Sequence, residues 1–579
     1  MFIKRRPVLG QPTYLKIQIC ENTREAGKVR QKVLKHLGTA RNEMELRVLE
    51  KSAALFMEEY LIAKNKGNVL FDARDCVTER EPDFKHLPKA DNALQVDMSQ
   101  IAEVKKLVEG PQDIFAFAAT SEDLLDVVPK KDQELLSKLI AARITQPESK
   151  KKTFENLQTY AGFECSLPKL YRLISKLGKA EEAINQKAFG TAQKLFGDKI
   201  DLLFFDVTTL YFESWTQDEL KDFGFSKDCK FGQVQVTLAL ATQRDGFPVG
   251  YRLFSGKTAE ISTLIDCVTE WKKYIALEDV VFVADRGMFS TKNLHLLQES
   301  GFKFVVGCPL RKLDKKTQKI ILEEENYKIK SFELNGKTEI VWCGKFAHSM
   351  TSKEKNSEGK YQLLEVKGHI ISTYSSKRAA KDKTDREKML EKALKKVTKE
   401  SKDKASSTDL KNLIGNRGHT KFLKVCESET STIKIDETKI AIDSSWDGMH
   451  GIFTNTNLSE LEVLSRYRGL WQIEACFRLS KTNLKMRPIF HFTPERIRGH
   501  VALCFLSLVT LKIVEKKLKD KNVKITTENL ISEIKKIGCT IVKDTASGNT
   551  FKIPSKLSDK AAEIYKAFGI SRQTKAMKI

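Results

Sequence analysis

Three carboxylates stand where a carboxylate is costly. In "LLFFDVTTLYFES", residues 202–214, four apolar residues run into Asp206, and a strand-like run of Thr, Tyr and Phe follows. A second apolar run, "VVFVADRG", ends on Asp285. An anion at the end of a buried strand loses hydration unless something positive sits beside it. If the two strands are neighbours, the carboxylates repel each other. Divalent cations would relieve that repulsion, and oxygen donors suit Mg²⁺. Two such ions activate an attacking oxygen and stabilise a leaving one in phosphodiester cleavage. A third carboxylate is expected from a helix, and "YRGLWQIEACFRLSK" offers Glu474. Tyr467, Glu474 and Lys481 recur every seven residues, a stripe that drifts only about 20° per heptad on a helix. Leu470, Trp471 and Phe477 lie beside it, so Glu474 is expected on an inward face, compensated by a metal or an Arg. Arg478, one turn on, would orient Glu474 or hold a phosphate. Taken singly, each acid has a plainer reading. A strand-end Asp is often a turn or helix cap, and Glu474 with Arg478 reads as a helix ion pair. Together, in a basic chain, they point to a metal nuclease or polynucleotidyl transferase.

The elements that must position these acids are legible around them. "DLLFFDVTTLYFE" reads as a strand. "GQVQVTLALAT" alternates Val234, Val236, Leu238 and Leu240, a second strand. "RDG" turns the chain into "FPVGYRLF", a third, so the last two form a hairpin. Ile261, Leu264, Ile265, Val268, Trp271 and Ile275 fall at helical steps. "DVVFVADRG" is a fully apolar fourth strand of the buried kind. Ser290 can cap the helix "TKNLHLLQES", Gly301 stops it, and "FKFVVGC" is a fifth strand. Three meandering strands, helix, strand, helix, strand is the order of a ribonuclease H-like α/β fold, a mixed sheet with helices on its faces.

Around this core we expect a mostly helical N-terminal region over 1–198, with a short strand and a basic turn near its start. It is a candidate DNA-binding module without a specific helix-turn-helix pattern. The catalytic domain occupies 199–310 and resumes at 446–515 with the Glu474 helix. Residues 311–445 read as an inserted β-rich subdomain with a charged helical stretch, and 516–579 as a basic tail. The chain of 579 residues carries 100 Lys and Arg against 76 Asp and Glu, a formal charge of +24. That excess favours a polyanionic partner, most plausibly nucleic acid; an ordinary Lys-rich surface is the alternative. The eleven Cys form no C-x-x-C pair, which suits a reducing compartment and argues against structural zinc. The N-terminus lacks the apolar core of a signal peptide. The apolar run "HVALCFLSLVTLKIV" is short for a membrane span and reads as a buried core helix.

With these segments in hand, the chain resembles a DDE transposase of a bacterial insertion sequence, in the fourth-family-like group named for a Tyr-Arg-Glu-Lys pattern. The resemblance rests on "FFDVTTLYFES", "FVADRGMFS" and, most specifically, "YRGLWQIEACFRLSKTNLKMRPIFHFTPERIRGHVALCFLSL". "YLKIQICENTREAGKVRQKVLKHLG" and "DGMHGIFTNTNLS" also look like this group, so the similarity spans about residues 10 to 515. It implies a catalytic, metal-binding triad of Asp206, Asp285 and Glu474 with two Mg²⁺ ions, replaceable by Mn²⁺. The pattern's Tyr falls on Tyr467. Its Arg position holds Leu470, with Arg468 nearby, and its Lys position holds Ser480, with Lys481 next to it. Tyr467, Lys481, Arg478, Arg468 and Lys257 are the expected phosphate contacts. Thr258, beside Lys257, is a DNA contact or a helix cap. The implied activity is cleavage at the element's ends followed by joining of the 3′-OH groups to target DNA. The implied partners are terminal inverted repeats, target DNA and a second copy of the chain, with no membrane. The implied setting is a bacterial cytoplasm, at the nucleoid. A metal-dependent nuclease without strand transfer, and a non-catalytic DNA-binding derivative, are the competing readings.

Overall fold

The computed structural model describes residues 2–8, 11–25, 28–40, 46, 49–50, 53, 56–57, 98–197, 200–224, 232–273, 280–334, 337–355, 359–400, 414–415, 418–426 and 432–579. The chain divides into two compact units, Met1–Gln95 and Val96–Ile579. In the first, β1 (Phe2–Val8), β2 (Gln11–Glu25) and β3 (Lys28–Ala40) form an antiparallel sheet in that order. The start of the helical N-terminal region is therefore β-structured. Leu15, Ile17 and Ile19 alternate along β2, and Ile17 to Cys20 are all buried, so this central strand is covered on both faces there. The segment expected to be a basic turn continues largely as β3, paired to β2 from Glu25↔Lys28 to Leu15↔Ala40. Most of the helix expected at "ELRVLEKSAALFMEEYLIAK" lies outside the described residues.

The second unit opens with β4 (Ile101–Val108) and the helices α1 (Lys130–Thr145), α2 (Lys150–Tyr160), α3 (Leu167–Gly178) and α4 (Glu181–Phe196). The strands that carry the acids and their neighbours follow: β5 (Leu202–Tyr211), β6 (Gln235–Gln243), β7 (Pro248–Ser255), then α5 (Glu260–Trp271), β8 (Val281–Ala284), α6 (Thr291–Glu299) and β9 (Lys303–Cys308). Every residue of β6 and β8 is buried, as befits central strands covered on both faces. Trp271 closes the apolar stripe of α5 and is buried; Ile275 lies outside the described residues. Ser290 caps α6 by accepting from the Asn293 N–H, and Gly301, at φ +82°, ends the turn after it.

These strands lie side by side as β7-β6-β5-β8-β9, with β5, β8 and β9 parallel and β6 antiparallel. That is the ribonuclease H-like arrangement. The sheet then continues beyond β9. Four strands, β10 (Lys328–Leu334), β11 (Lys337–Lys355), β12 (Tyr361–Tyr374) and, after α7 (Ser376–Glu400) and the hairpin β13 (Leu423–Cys426) and β14 (Thr432–Ile435), β15 (Met449–Thr454), extend it to nine in the order β10-β11-β12-β15-β9. Much of the 311–445 insertion is thus continuous with the catalytic sheet. Gly451↔Cys308 and Ile371↔Ile452 are the pairings that weld it on. The charged stretch after β12 is helical as α7.

The C-terminal side of the sheet carries α8 (Glu460–Arg468), α9 (Trp471–Thr482) and α10 (Pro494–Asp520). α10 is long and apolar enough to cross a membrane, but 89% of its apolar window is buried inside the protein. Residues 516–579 do not form a loose tail. After α10 come β16 (Gly538–Asp544), β17 (Thr550–Pro554), α11 (Asp559–Phe568) and β18 (Met577–Lys578), and β16 pairs with β4 in the order β18-β17-β16-β4. Lys552 and Arg572 both reach Glu109, at 2.5 and 2.7 Å, which anchors the basic segment to the chain that leaves β4.

α10 and α3 meet backbone to backbone. A Cβ placed on Gly499 would sit 1.8 Å from the Ile174 carbonyl oxygen, and one on Gly178 would sit 2.1 Å from that of Glu495. Backbone atoms cannot swing aside as a flexible side chain can. Gly499→Ala is therefore expected to lower the unfolding free energy by about 1–3 kcal/mol, the usual cost of overpacking. Urea titration of the two proteins measures this, and an unchanged midpoint would show that the helix pair separates freely.

Candidate active site

β5 and β8 run parallel with Phe205 opposite Ala284. The next residues are Asp206 and Asp285. Register alone therefore sets the two carboxylates side by side, where β8 ends and β5 continues. Asp206 is half-buried, and its Oδ1 accepts the Val207 N–H at 2.7 Å. Asp285 is exposed and caps the short turn Arg286–Met288, Oδ1 accepting the Gly287 N–H at 2.7 Å. The plain capping role and the chemical one coexist at Asp285, because one carboxylate oxygen suffices for the cap.

Glu474 is not on an inward face. The helix expected through Tyr467 and Glu474 is broken: α8 stops at Arg468 and α9 starts at Trp471, with Gly469 and Leu470 between them. Gly469 lies against β5, for a Cβ there would be 2.2 Å from the Phe204 ring. α9 then buries Ile473, Cys476, Phe477 and Ser480, an i, i+3, i+4, i+7 face, while Glu474 and Arg478 are exposed and Trp471 is 53% exposed. The buried face is pinned by the Cys476 thiol, which reaches the Gly246 carbonyl in the β6–β7 turn at 3.1 Å. Glu474 and Arg478 form no ion pair with each other within 4.0 Å among the described residues.

Tyr467 links the second and third acids. Its hydroxyl rests against Gly307 of β9, where a Cβ would be 2.5 Å away, next to the Arg286 backbone. Burial first, then the charge of Asp285, push its phenol up to about 12; Glu474 adds to this, while Arg286 and Arg378 oppose it. Tyr467 is therefore a neutral O–H donor at any working pH. Its ring lies 5.2 Å from that of His450 on β15. Both line a cleft of about 1030 Å³ that runs from Asp285 to the inserted segment. Arg286, Arg378 and Arg311 also line it, with Arg386 at its floor held bidentately by Asp447 at 2.5 Å.

The structure thus brings together Asp206, Asp285 and Tyr467, with Glu474 within electrostatic reach of Tyr467. Arg468 is half-buried, and its charge acts on His450. Lys481 is half-buried near the end of α9. Lys257 stands apart, paired with Asp222 at 3.3 Å beyond the end of β7. Thr258 caps nothing, since Ala259 is the N-cap of α5. Arg286, Arg378 and His450 escaped the sequence reading. Arg286 follows Asp285 directly and was open to notice; Arg378 and His450 reach the cleft only because β12 and β15 join the sheet. For metal binding, the donors are all oxygen and two of them are adjacent, which fits a hard cation. No three acidic, His or Cys groups are gathered into a metal-holding cluster among the described residues, so Glu474 does not close the set by itself.

The fold and these acids define a ribonuclease H-like core with strand-borne carboxylates. Residues 198–510 match the family described as "Transposase DDE domain", more than half of the chain, and the protein belongs to that family. All three acids fall inside the matched segment. No curated protein matches the chain. Among solved structures, the chain is similar to piggyBac transposase in a synaptic complex with hairpin DNA, at 8% identity over 74% of this chain and 77% of that one, with a TM-score of 0.36.

Burial, then Arg378, Arg286 and Arg468, push the His450 imidazole down to about 4. Unfolded, it titrates near 6.5. The unfolded chain therefore takes up the proton first as pH falls. The stability held by neutral His450 is complete above pH 6.5 and is lost between about 6.5 and 4, up to about 3 kcal/mol. His450→Gln is expected to lose that much less stability over this interval. Urea unfolding at a series of pH values measures it, and parallel pH profiles for the two proteins would remove His450 from the account.

Proposed function

We propose that the protein is a DNA transposase that cuts the ends of its own element and joins the released 3′-OH groups to target DNA. It would belong to the bacterial insertion-sequence group with the Tyr-Arg-Glu-Lys pattern, acting as a dimer on two DNA ends in the cytoplasm. The observation that carries this reading is the placement of Asp206 and Asp285 on adjacent parallel strands within the family-matched segment. Asp206, Asp285 and Glu474 would hold divalent cations, Mg²⁺ by preference, which supply a Lewis acid for the attacking and leaving oxygens. Tyr467, neutral and O–H bearing, donates to a non-bridging phosphate oxygen. Arg286 and Arg468 screen the charge of the strand lying along the cleft, and Lys481 and Arg478 follow it along α9. Asp285 keeps its orientation through the Gly287 N–H while its second oxygen serves the reaction.

The test uses DNA carrying the terminal repeats that flank the protein's own gene, with Mg²⁺. Asp206→Asn, Asp285→Asn and Glu474→Gln are each expected to lose at least about a hundredfold in end cleavage, the equivalent of about 3 kcal/mol of transition-state stabilisation, while still binding the DNA. Undiminished cleavage by any one of them would strike that residue from the site. Cleavage without joining by the unmutated protein would replace transposition with simple nuclease activity.

A further inference from the structure

A second cavity, of about 300 Å³, lies where α2 begins. Its lining holds Arg143 from α1, Lys150 and Lys151 from the first turn of α2, Lys485 and Arg487 from the segment after α9, and the neutral imidazoles of His491 and His500. Glu148 is the one carboxylate-bearing residue among its lining residues. Arg143 is 5% exposed and Lys150 4%. Neither forms an ion pair among the described residues. Arg143 Nη2 donates instead to the Glu148 backbone carbonyl at 3.1 Å. Lys150 Nζ donates to His500 Nδ1 at 3.3 Å, and His500 Nε2 donates to the Met486 carbonyl at 3.1 Å. That relay requires a neutral His500, which offers Lys150 no counter-charge. Burial, then Arg143, drive the Lys150 ammonium well below its ordinary value.

Arg143 and a protonated Lys150, both buried without an acid, are costly for a protein alone, and that cost is what drives Lys150 toward its neutral amine. They are economical beside a bound anion, and the positive end of α2 adds to the same field. The surroundings indicate which anion. The Ile489 N–H reaches the Tyr211 carbonyl at the end of β5, and the Arg487 guanidinium lies 5.6 Å from the Tyr211 ring centroid. Tyr211 is five residues beyond Asp206, about 16 Å along the strand. Phe490, 65% exposed, lines the cavity, and Phe492, 78% exposed, stands two residues on. Exposed rings among cations are what nucleic-acid bases stack on.

We propose that this cavity is a phosphate-binding site, and that the phosphate it takes is a backbone phosphodiester of DNA bound along the strand that carries Asp206. The identity of the source rests on the DNA-transposase reading; the phosphate chemistry does not. The decisive variant is Lys150→Met, which keeps the length and removes the charge. The full-length protein is titrated with inorganic phosphate, with chloride at matched ionic strength as control. The unmutated protein is expected to show a saturable, phosphate-specific rise in melting temperature. Lys150→Met is expected to lose that rise, while melting no lower than the parent in phosphate-free buffer. Should that variant fail to fold, Lys151→Gln at the rim is read in the same way. With DNA, the slope of log affinity against log salt is expected to shrink by about 1 in the variant.

No phosphate-specific rise in the parent, or an equal rise in both proteins, overturns the site. A rise lost in the variant with an unchanged salt slope overturns DNA as the source and leaves a free-phosphate site. If the protein binds no DNA at all, the transposase reading fails, while the phosphate titration still judges the cavity.

Discussion

The parallel pairing of β5 with β8 is the constraint on which the rest of the site depends. Two parallel strands cannot be joined by a short turn, so the chain must leave β5, build the β6–β7 hairpin, cross over through α5 and return. The return strand is only four residues long, Val281–Ala284, and all four are buried. That brevity lets Asp285 emerge at the end of the strand into solvent while Asp206, at the same level, remains inside a longer strand. A one-residue slip in this register would turn Asp206 or Asp285 to the opposite face and separate the pair. The apolar runs before the two acids thus act as a register lock as well as a core.

Positive charge is spread over the molecule, but its surroundings differ between the two cavities. In the larger cleft the cations are answered by acids: Arg386 by Asp447, Lys421 by Asp443 at 2.7 Å, and Arg311 by Asp443. Such networks hold the inserted segment to the catalytic sheet and leave Arg286 and Arg378 on the wall near Tyr467. In the smaller cavity Arg143 and Lys150 are answered only by carbonyls and a neutral imidazole. The first arrangement balances itself within the protein. The second has no carboxylate paired with it among the described residues.

The order of the five catalytic strands was legible because each is an apolar run bounded by turn residues, and because the helices between them keep clean helical spacing. What pairs across long stretches of sequence was not. β15 joins β9 across about 140 residues, and β16 joins β4 across more than 400, and neither pairing leaves a mark in local composition. The basic C-terminal segment looked like a tail because its charges were read without their partner Glu109. At the site, the two strand acids stood out as the ends of apolar runs in neighbouring strands, and the register does set them side by side, although Asp285 is exposed. Glu474 was found by type and spacing but assigned the wrong environment, since the seven-residue stripe assumed one helix through Gly469. The true inward face, Ile473, Cys476, Phe477 and Ser480, was written in the same fifteen residues.

That misassignment has a physical meaning. Three carboxylates gathered around an empty centre would repel one another and lose their hydration with nothing in return. The fold commits two of them by register, since the strands leave no choice, and keeps the third in water. Gly469 sets this compromise. With no Cβ it lets the α8–α9 junction press on Phe204, one strand position from Phe205 and two from Asp206, so α9 is tied to the strand that carries the first acid. Its apolar face is then anchored on the β6–β7 turn by Cys476, which turns Glu474 outward by about one helical position. Tyr467, on the other side of the junction, stays protonated because it is buried, and the charges of Asp285 and Glu474 add to that. On the proposed reading, the electrostatic cost of gathering three acids would be deferred until positive charge arrived to offset it.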